Sequence, residues 1–495
     1  MKKTYLSLII SLISFHSYSQ WNLNPAVNNL IGGQPQDQQD ARIVTDTKGG
    51  GIISWVDFRN DANQVVADIY AQRVNSNGTN MWANNGVAVC TNAADQTAPV
   101  LIPDGVGGTI ITWQDWRNGD RDIYAQRVGA TGTVVWSANG AGVAVKVSHQ
   151  RGSRLISDGA QGAVIVWEDS INGNWDIFAQ HINSNGATQW TSGGVVICNA
   201  AGTQINPKIE ADATGTYITW QDRRNGNDYD VYCQKLNASG AVQWTANGVV
   251  ISNAANSQLN PKIKVDNGGG IILSWQHFNT GAGYDVYAQR LNSSGAAQWT
   301  ANGIQVCALT GNQSAIDMTT ENITDGVIIT WKDGRNTNVN IYSQKVDFNG
   351  NALWTANGVL VSNSSRNQIN PNSVGDGNGG AILVWQDSLA GIWDVFAQRI
   401  SSAGSVIWTN GGVAVGIAAD NQTAPKNVSD GNGGCIFSFQ DKRSGDFDIY
   451  AYKLAGNGTV TDIEQATAAA SGISVFPNPF SESTCLLYTS DAADE

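Results

Sequence analysis

The sequence predicts an all-β fold, an eight-bladed β-propeller of four-stranded blades whose ring is closed by the N-terminal strand. Three observations predict it. The segment Asp285-Val-Tyr-Ala-Gln-Arg-Leu-Asn-Ser-Ser-Gly-Ala-Ala-Gln-Trp-Thr-Ala-Asn-Gly303 returns in recognisable copies that begin at Asp68, Asp122, Asp176, Asp230, Asn340, Asp394 and Asp448, eight in all and 54 or 55 residues apart. A fixed period of this size marks stacked supersecondary units. Apolar and polar residues alternate within the unit, with no 3.6-residue periodicity, so each unit is built from strands. Finally, 55 glycines and 18 tryptophans in 495 residues, 41% of them hydrophobic, suit a turn-rich β protein with a large core.

The unit at residues 261–306 shows the expected strands in order. Pro261-Lys-Ile-Lys-Val-Asp266 alternates, Asn267-Gly-Gly-Gly270 turns, and Ile271-Ile-Leu-Ser-Trp-Gln276 returns as the second strand. After a polar loop, Asp285 to Leu291 forms the third. Ser293-Ser-Gly295 then turns the chain into a fourth strand, which is expected to carry Trp299 and is followed by the apolar run Gly303-Ile-Gln-Val306.

The tryptophans set the blade number. Second strands carry Trp55, Trp113, Trp167, Trp220, Trp275, Trp331 and Trp385, with Phe439 in the eighth copy. A second series, Trp82, Trp136, Trp190, Trp244, Trp299, Trp354 and Trp408, breaks at the eighth copy, where Asp462 stands instead. The missing indole lies at the other end of the chain, in Trp21-Asn-Leu-Asn24. The N-terminal segment is therefore expected to supply the outer strand of the last blade, which removes a free sheet edge. The repeated tryptophans are read as packing between neighbouring blades.

Residues 1–19 read as a signal peptide, with Lys2 and Lys3 before an apolar run and Ser17-Tyr-Ser19 before cleavage at Gln20. The propeller is expected over 20–462 and a Gly/Ala/Ser linker over 463–472. Ile473-Ser-Val-Phe-Pro-Asn-Pro-Phe480 resembles the opening strand of the C-terminal sorting domain of Bacteroidota type IX secretion substrates, whose signature is an aromatic followed by Pro-Asn-Pro. That resemblance implies a truncated β-sandwich sorting domain over 473–484, a contact with the secretion machinery through this tail, and a protein that is secreted or held on the outer cell surface. Residues 485–495 resemble the translation of a sequencing-library adaptor and are set aside as an artefact.

A formal charge of −13 argues against a nucleic-acid partner, which needs a basic face, and no internal run approaches the length of a transmembrane helix. The chain is expected to act as a monomer.

Four kinds of residue could carry chemistry. The loop Asp115-Trp-Arg-Asn-Gly-Asp-Arg-Asp122 and its echo from Asp222 through Asp228 to Asp230 offer Asp115, Asp120, Asp122, Asp222, Asp228 and Asp230 as candidate calcium ligands. The competing and preferred reading is a turn pinned by an Asp to Arg pair. The Asp-x-Arg then Asp-Ile-Tyr arrangement also resembles TolB-like propeller repeats over about ten residues per blade. His149, His181 and His277 depart from the repeat without metal spacing and read as solvated or packed substitutions. Cys90, Cys198 and Cys307 share one repeat position in blades that are not neighbours, too far apart for a disulfide.

The fourth kind suggests binding. Trp175, Tyr229, Tyr284, Trp393 and Phe447 precede the third-strand Asp, with Trp116 nearby in another copy, and together they predict an interrupted aromatic ring on one face. The expected function is a non-catalytic binding module for an extracellular glycan or protein, with no catalytic residues and no cofactor apart from calcium. The alternatives are an extracellular polymer-degrading hydrolase on a propeller scaffold and a structural or adhesion protein of the surface.

Overall fold

The computed structural model describes residues 21–266, 268–320, 326–389 and 391–460. The predicted leader, linker, sorting segment and adaptor-like tail, like Asp462, lie outside them. Among the described residues there is no helix, and the strands form eight antiparallel four-stranded sheets, seven of them ordered as in sequence. Blade one is Gln38–Thr45, Gly51–Asp57, Asp68–Val74 and Val87–Cys90. Blades two to seven repeat it, and their first strands begin at Gln96, Gln150, Gln204, Gln258, Gln313 and Asn367. Because successive strands are antiparallel, their connections alternate between two faces. The second-to-third and fourth-to-first connections lie on one, here called the loop face, and the tight turns on the other, the hairpin face.

Blade eight is shared between the chain ends, as the break in the tryptophan series predicts. Gln422–Ser429, Cys435–Asp441 and Asp448–Leu454 come from the C-terminal side, and Asn29–Gly32 supplies the outer strand. Asn29 stands opposite Ala451 and Leu30 opposite Tyr450. Trp21 is buried, and its indole Nε1 donates to Ser76 O at 2.8 Å.

One expectation is corrected. The second tryptophan of each unit is not in the fourth strand, which is the apolar run after it: Ile304–Cys307 rather than the stretch around Trp299. The cause is a glutamine. Gln289 Oε1 accepts from Trp299 N at 3.0 Å and its Nε2 donates to Thr300 O at 2.8 Å, so a side chain takes the place of strand pairing. The indole then reaches the next blade and donates to Phe348 O at 3.1 Å. The chain returns to the sheet through Gly303, at φ +88, where a Cβ would lie 2.6 Å from both Ala288 O and the Trp275 ring. In blade eight the glutamine is replaced by Tyr452, whose hydroxyl donates to Leu23 O at 3.1 Å, because there the anchoring segment comes from the N-terminus.

The core lies between blades. All seven second-strand tryptophans and Phe439 are fully buried, and Trp113, Leu101 and Ile111 of blade two pack on Trp82, Val89 and Cys90 of blade one. Burying side chains of this size contributes about 2–3 kcal/mol each.

The first strands line the central channel, and each carries the same bulge. Its start is a fully buried glutamine, from Gln38 to Gln422, whose side chain ties down the fourth-to-first connection, as Gln38 Nε2 does to Gln36 O at 2.7 Å. Two residues on, the backbone turns left-handed at Asp40, Ala98, Gly152, Asn206, Asn260, Ala315, Asn370 and Ala424, with φ between 50° and 65°. The ladder slips there, between Gln39 and Arg42 in blade one, and resumes with the residue that follows the slip.

Candidate functional site

The loop face is built from a repeated clamp. Asp115, fully buried at the end of a second strand, accepts from Arg117 Nε at 2.8 Å, from Arg117 NH2 at 2.6 Å and from Trp113 Nε1 at 2.9 Å. The guanidinium lies 3.8 Å from the centroid of the Tyr124 ring and donates to Asn139 O at 2.7 Å. The same arrangement holds Asp57 with Arg59, Asp222 with Arg224, Asp333 with Arg335 and Asp441 with Arg443. The Asp to Arg pairing read from the sequence is thus present.

Where the arginine is missing, a cation arrives from elsewhere. Lys146 reaches Asp169 at 3.0 Å, and Arg366 lies 3.6 Å from Asp387. Blade five has His277 in place of the aspartate, and the buried Trp275 Nε1 has no acceptor among the described residues. Trp113→Phe is therefore expected to cost about 2 kcal/mol more than Trp275→Phe, since the first loses a hydrogen bond to a carboxylate and the second removes an orphaned donor. Urea unfolding of the two variants measures the difference, and equal costs would refute the assignment.

The calcium candidates sit within this clamp. Asp115 and Asp222 are engaged by arginine, and Asp122 Oδ2 accepts from Asn118 Nδ2 at 2.7 Å while its Oδ1 accepts from Lys146 N at 3.1 Å. Asp120 is 3.9 Å from His149, and Asp228 stands beside Asp230, whose carboxyl is pushed up to about 6 by burial and by Asp222 and Asp228. No group of three or more His, Cys, Asp and Glu side chains among the described residues is arranged to hold a metal ion.

On the hairpin face Arg73 pairs with Asp46 at 2.8 Å, and in blade three His181 takes the position of that cation, its Nε2 within hydrogen-bond distance of Asp158 Oδ2 at 2.8 Å. Burial holds the Cys90, Cys198 and Cys307 thiols up at about 12, so they are protonated at neutral pH.

The six predicted aromatic residues all fall on the loop face, and all are half-buried. The carbonyls of Trp175, Tyr229 and Phe447 accept the amide of the next blade's first glutamine, so these residues also join blades. Trp116 belongs to the second-to-third connection, directly after Asp115. Most are capped rather than bare: Arg121 lies 4.8 Å from the Trp116 centroid, Arg223 5.8 Å from Tyr229 and Lys442 5.5 Å from Phe447, while Tyr284 packs on Phe278 at 5.2 Å. Trp393 lies before Asp394, and its amide donates to Asn421 Oδ1 at 3.0 Å.

The sector around Glu168 departs from the repeat by adding a charge. Between blades three and four, at the loop-face rim of the channel, Arg151 lies 3.8 Å from the Trp175 centroid and donates to Glu168 Oε2 at 2.7 Å. Glu168 Oε1 accepts from Asn206 N at 2.7 Å. The equivalent Gln221 accepts from Asn260 N at 2.8 Å, so the carboxylate keeps the repeat's structural bond and adds a charge. Sequence reading found Trp175 but missed Arg151 and Glu168. The available signal was that Glu168 occupies a position held by Gln114, Gln221, Gln276, Gln386 and Gln440 in other blades.

No protein family matches the chain, and no curated protein does. Among solved structures it is similar to a puromycin hydrolase at 13% identity, covering 86% of this chain and 61% of that one with a TM-score of 0.46. It is also similar to an ulvan lyase, a polysaccharide lyase, at 12% identity, covering 72% and 91% with a TM-score of 0.43. A third is an endo-arabinase from Bacteroides thetaiotaomicron at 12% identity, covering 64% and 95% with a TM-score of 0.32. The chain spans about three fifths of the length of the puromycin hydrolase it matches. The architecture stands on the eight blades themselves.

Proposed function

We propose that the protein is an exported binding module that takes an extracellular glycan or protein on its loop face, at the channel rim between blades three and four. The observation that supports it is the Arg151, Trp175 and Glu168 group, which puts a flat ring beside a guanidinium and a carboxylate at a sector that departs from the repeat. Such a group suits ligands that stack and hydrogen-bond at once. Export rests on the leader-like start and the Phe476-Pro-Asn-Pro motif.

A second reading, a polymer-degrading enzyme, is favoured by Glu168 itself, a carboxylate where most blades carry glutamine. The test is calorimetric titration with a panel of polysaccharides in calcium and in chelator, with the same mixtures assayed for new chain ends. One glycan is expected to bind without turnover, and Trp175→Ala to weaken it at least tenfold. New chain ends abolished by Glu168→Gln would establish the enzyme instead, and a panel without binding would overturn glycan recognition.

A further inference from the structure

Midway along the channel, below the rim, the first strands carry a tier of cations. The residue that resumes the ladder after each bulge is Arg42, Arg154, Lys208, Lys262 or Lys426 in five blades and Asp317 in a sixth; Val100 and Asn372 complete the tier. Their shared register places all eight at one depth. All but the buried Asp317 keep partial solvent exposure, so the tier faces an accessible space while protein surrounds it.

The charges in this tier do not balance. Arg42 pairs with Asp40 at 2.7 Å and Lys262 with Asp317 at 3.2 Å. Asp317 is otherwise saturated, accepting from Ser373 N at 2.7 Å and Asn372 Nδ2 at 3.0 Å. Among the described residues, Arg154, Lys208 and Lys426 have no carboxylate within ion-pair distance. Arg154 NH1 donates to Ser153 O at 2.6 Å, Lys208 Nζ to Pro207 O at 3.2 Å and to Asn206 Oδ1, and Lys426 Nζ to Pro425 O at 3.2 Å.

A chain of formal charge −13 thus gathers three unneutralised cations in its channel. Taking an ion out of water costs several kcal/mol unless a counter-charge meets it. The strain shows in the lysines: burial, then the neighbouring Arg154 and Lys262, holds Lys208 well below the usual ammonium range, and burial with Arg42 brings Lys426 down to about 8.

We propose that this tier is an oxyanion-binding site, in which Arg154, Lys208 and Lys426 receive the carboxylate or sulfate of a small acidic ligand. Guanidinium and ammonium donors on separate strands suit oxygens pointing in several directions. The site is distinct from the rim group, to which none of its three cations belongs, although the Glu168 carboxylate at the rim is felt by Arg154 and Lys208.

The test is titration calorimetry on the protein at constant ionic strength with sodium sulfate, with glucuronate and with glucose. Saturable binding of sulfate or glucuronate is expected, weakened at least tenfold by Lys208→Met with Lys426→Met and unchanged by Lys48→Met, an exposed lysine. Glucuronate binding would point to a sugar acid, and sulfate binding alone to an inorganic or ester sulfate. Absence of both, equal binding of glucose, or an unchanged affinity in the double variant would overturn the proposal. A second readout covers the structural reading: without anion, Lys208→Met is expected to raise the melting midpoint, and a lowered one would mean that the ammonium serves only to tie down its carbonyls.

Discussion

Trp21→Ala is expected to cost about 3–5 kcal/mol of unfolding free energy, in the range of a buried aromatic deleted from a close-packed site. The indole is 3% exposed, packs with Trp55, Ile31 and Ile449, and makes the 2.8 Å bond to Ser76 O that its counterparts make between every other pair of blades. An equal substitution at Trp136, which donates to Ser184 O at 2.8 Å, is the control. Both variants lose an anchor, but only Trp21 belongs to the segment that holds the two chain ends together. Limited proteolysis should therefore nick Trp21→Ala between Trp21 and Gly33 while Trp136→Ala stays intact at that end. A nearly neutral Trp21→Ala, measured by urea unfolding, would mean that the outer strand holds blade eight without its anchor.

Arg117→Met is the second large effect, expected at about 3–5 kcal/mol, because it leaves Asp115 buried with no opposing charge. The carboxylate is fully inaccessible, and its remaining donors, Trp113 Nε1 at 2.9 Å, the Arg117 amide at 3.0 Å and the Cys90 thiol at 3.8 Å, satisfy hydrogen bonds without supplying charge. The variant also strips the cation from the Tyr124 ring and the donor from Asn139 O. Asp115→Asn in the same chain should restore part of the loss, since a neutral amide does not need the guanidinium. The double-mutant cycle measures that coupling, and a cycle that closes with strictly additive costs would show that the pair is not an energetic unit.

The period, the second-strand tryptophans and the exchange of strands between the chain ends were legible because each is a local pattern counted along the chain. The anchor tryptophan was misplaced because alternation looks the same whether the partner is a strand backbone or the amide of Gln289. Lys146 and Arg366 escaped notice for a related reason: each repairs a clamp from the connection before the blade, so no window around Asp169 or Asp387 contains it. The aromatic face could be read from spacing, whereas its capping by Arg121 and Lys442 depends on side-chain direction. The channel tier needed the bulge, because the left-handed residue at each first strand decides which positions share a depth, and Ala98, Ala315 or Ala424 gives no composition signal for that conformation.

The strand shared between the ends also governs how the molecule can come into being. Within blades one to seven every sheet pairs strands that are close in sequence, contacts that form early because little chain must be ordered to reach them. Blade eight differs, for Tyr452 meets Leu23 across 429 positions. Bringing such distant points together carries a chain-closure entropy of about 5 kcal/mol, incurred once per molecule. A chain emerging N-terminus first therefore holds its closing strand unpaired until the last blade exists, so the final event of folding is a single, slow latch rather than the addition of one more repeat.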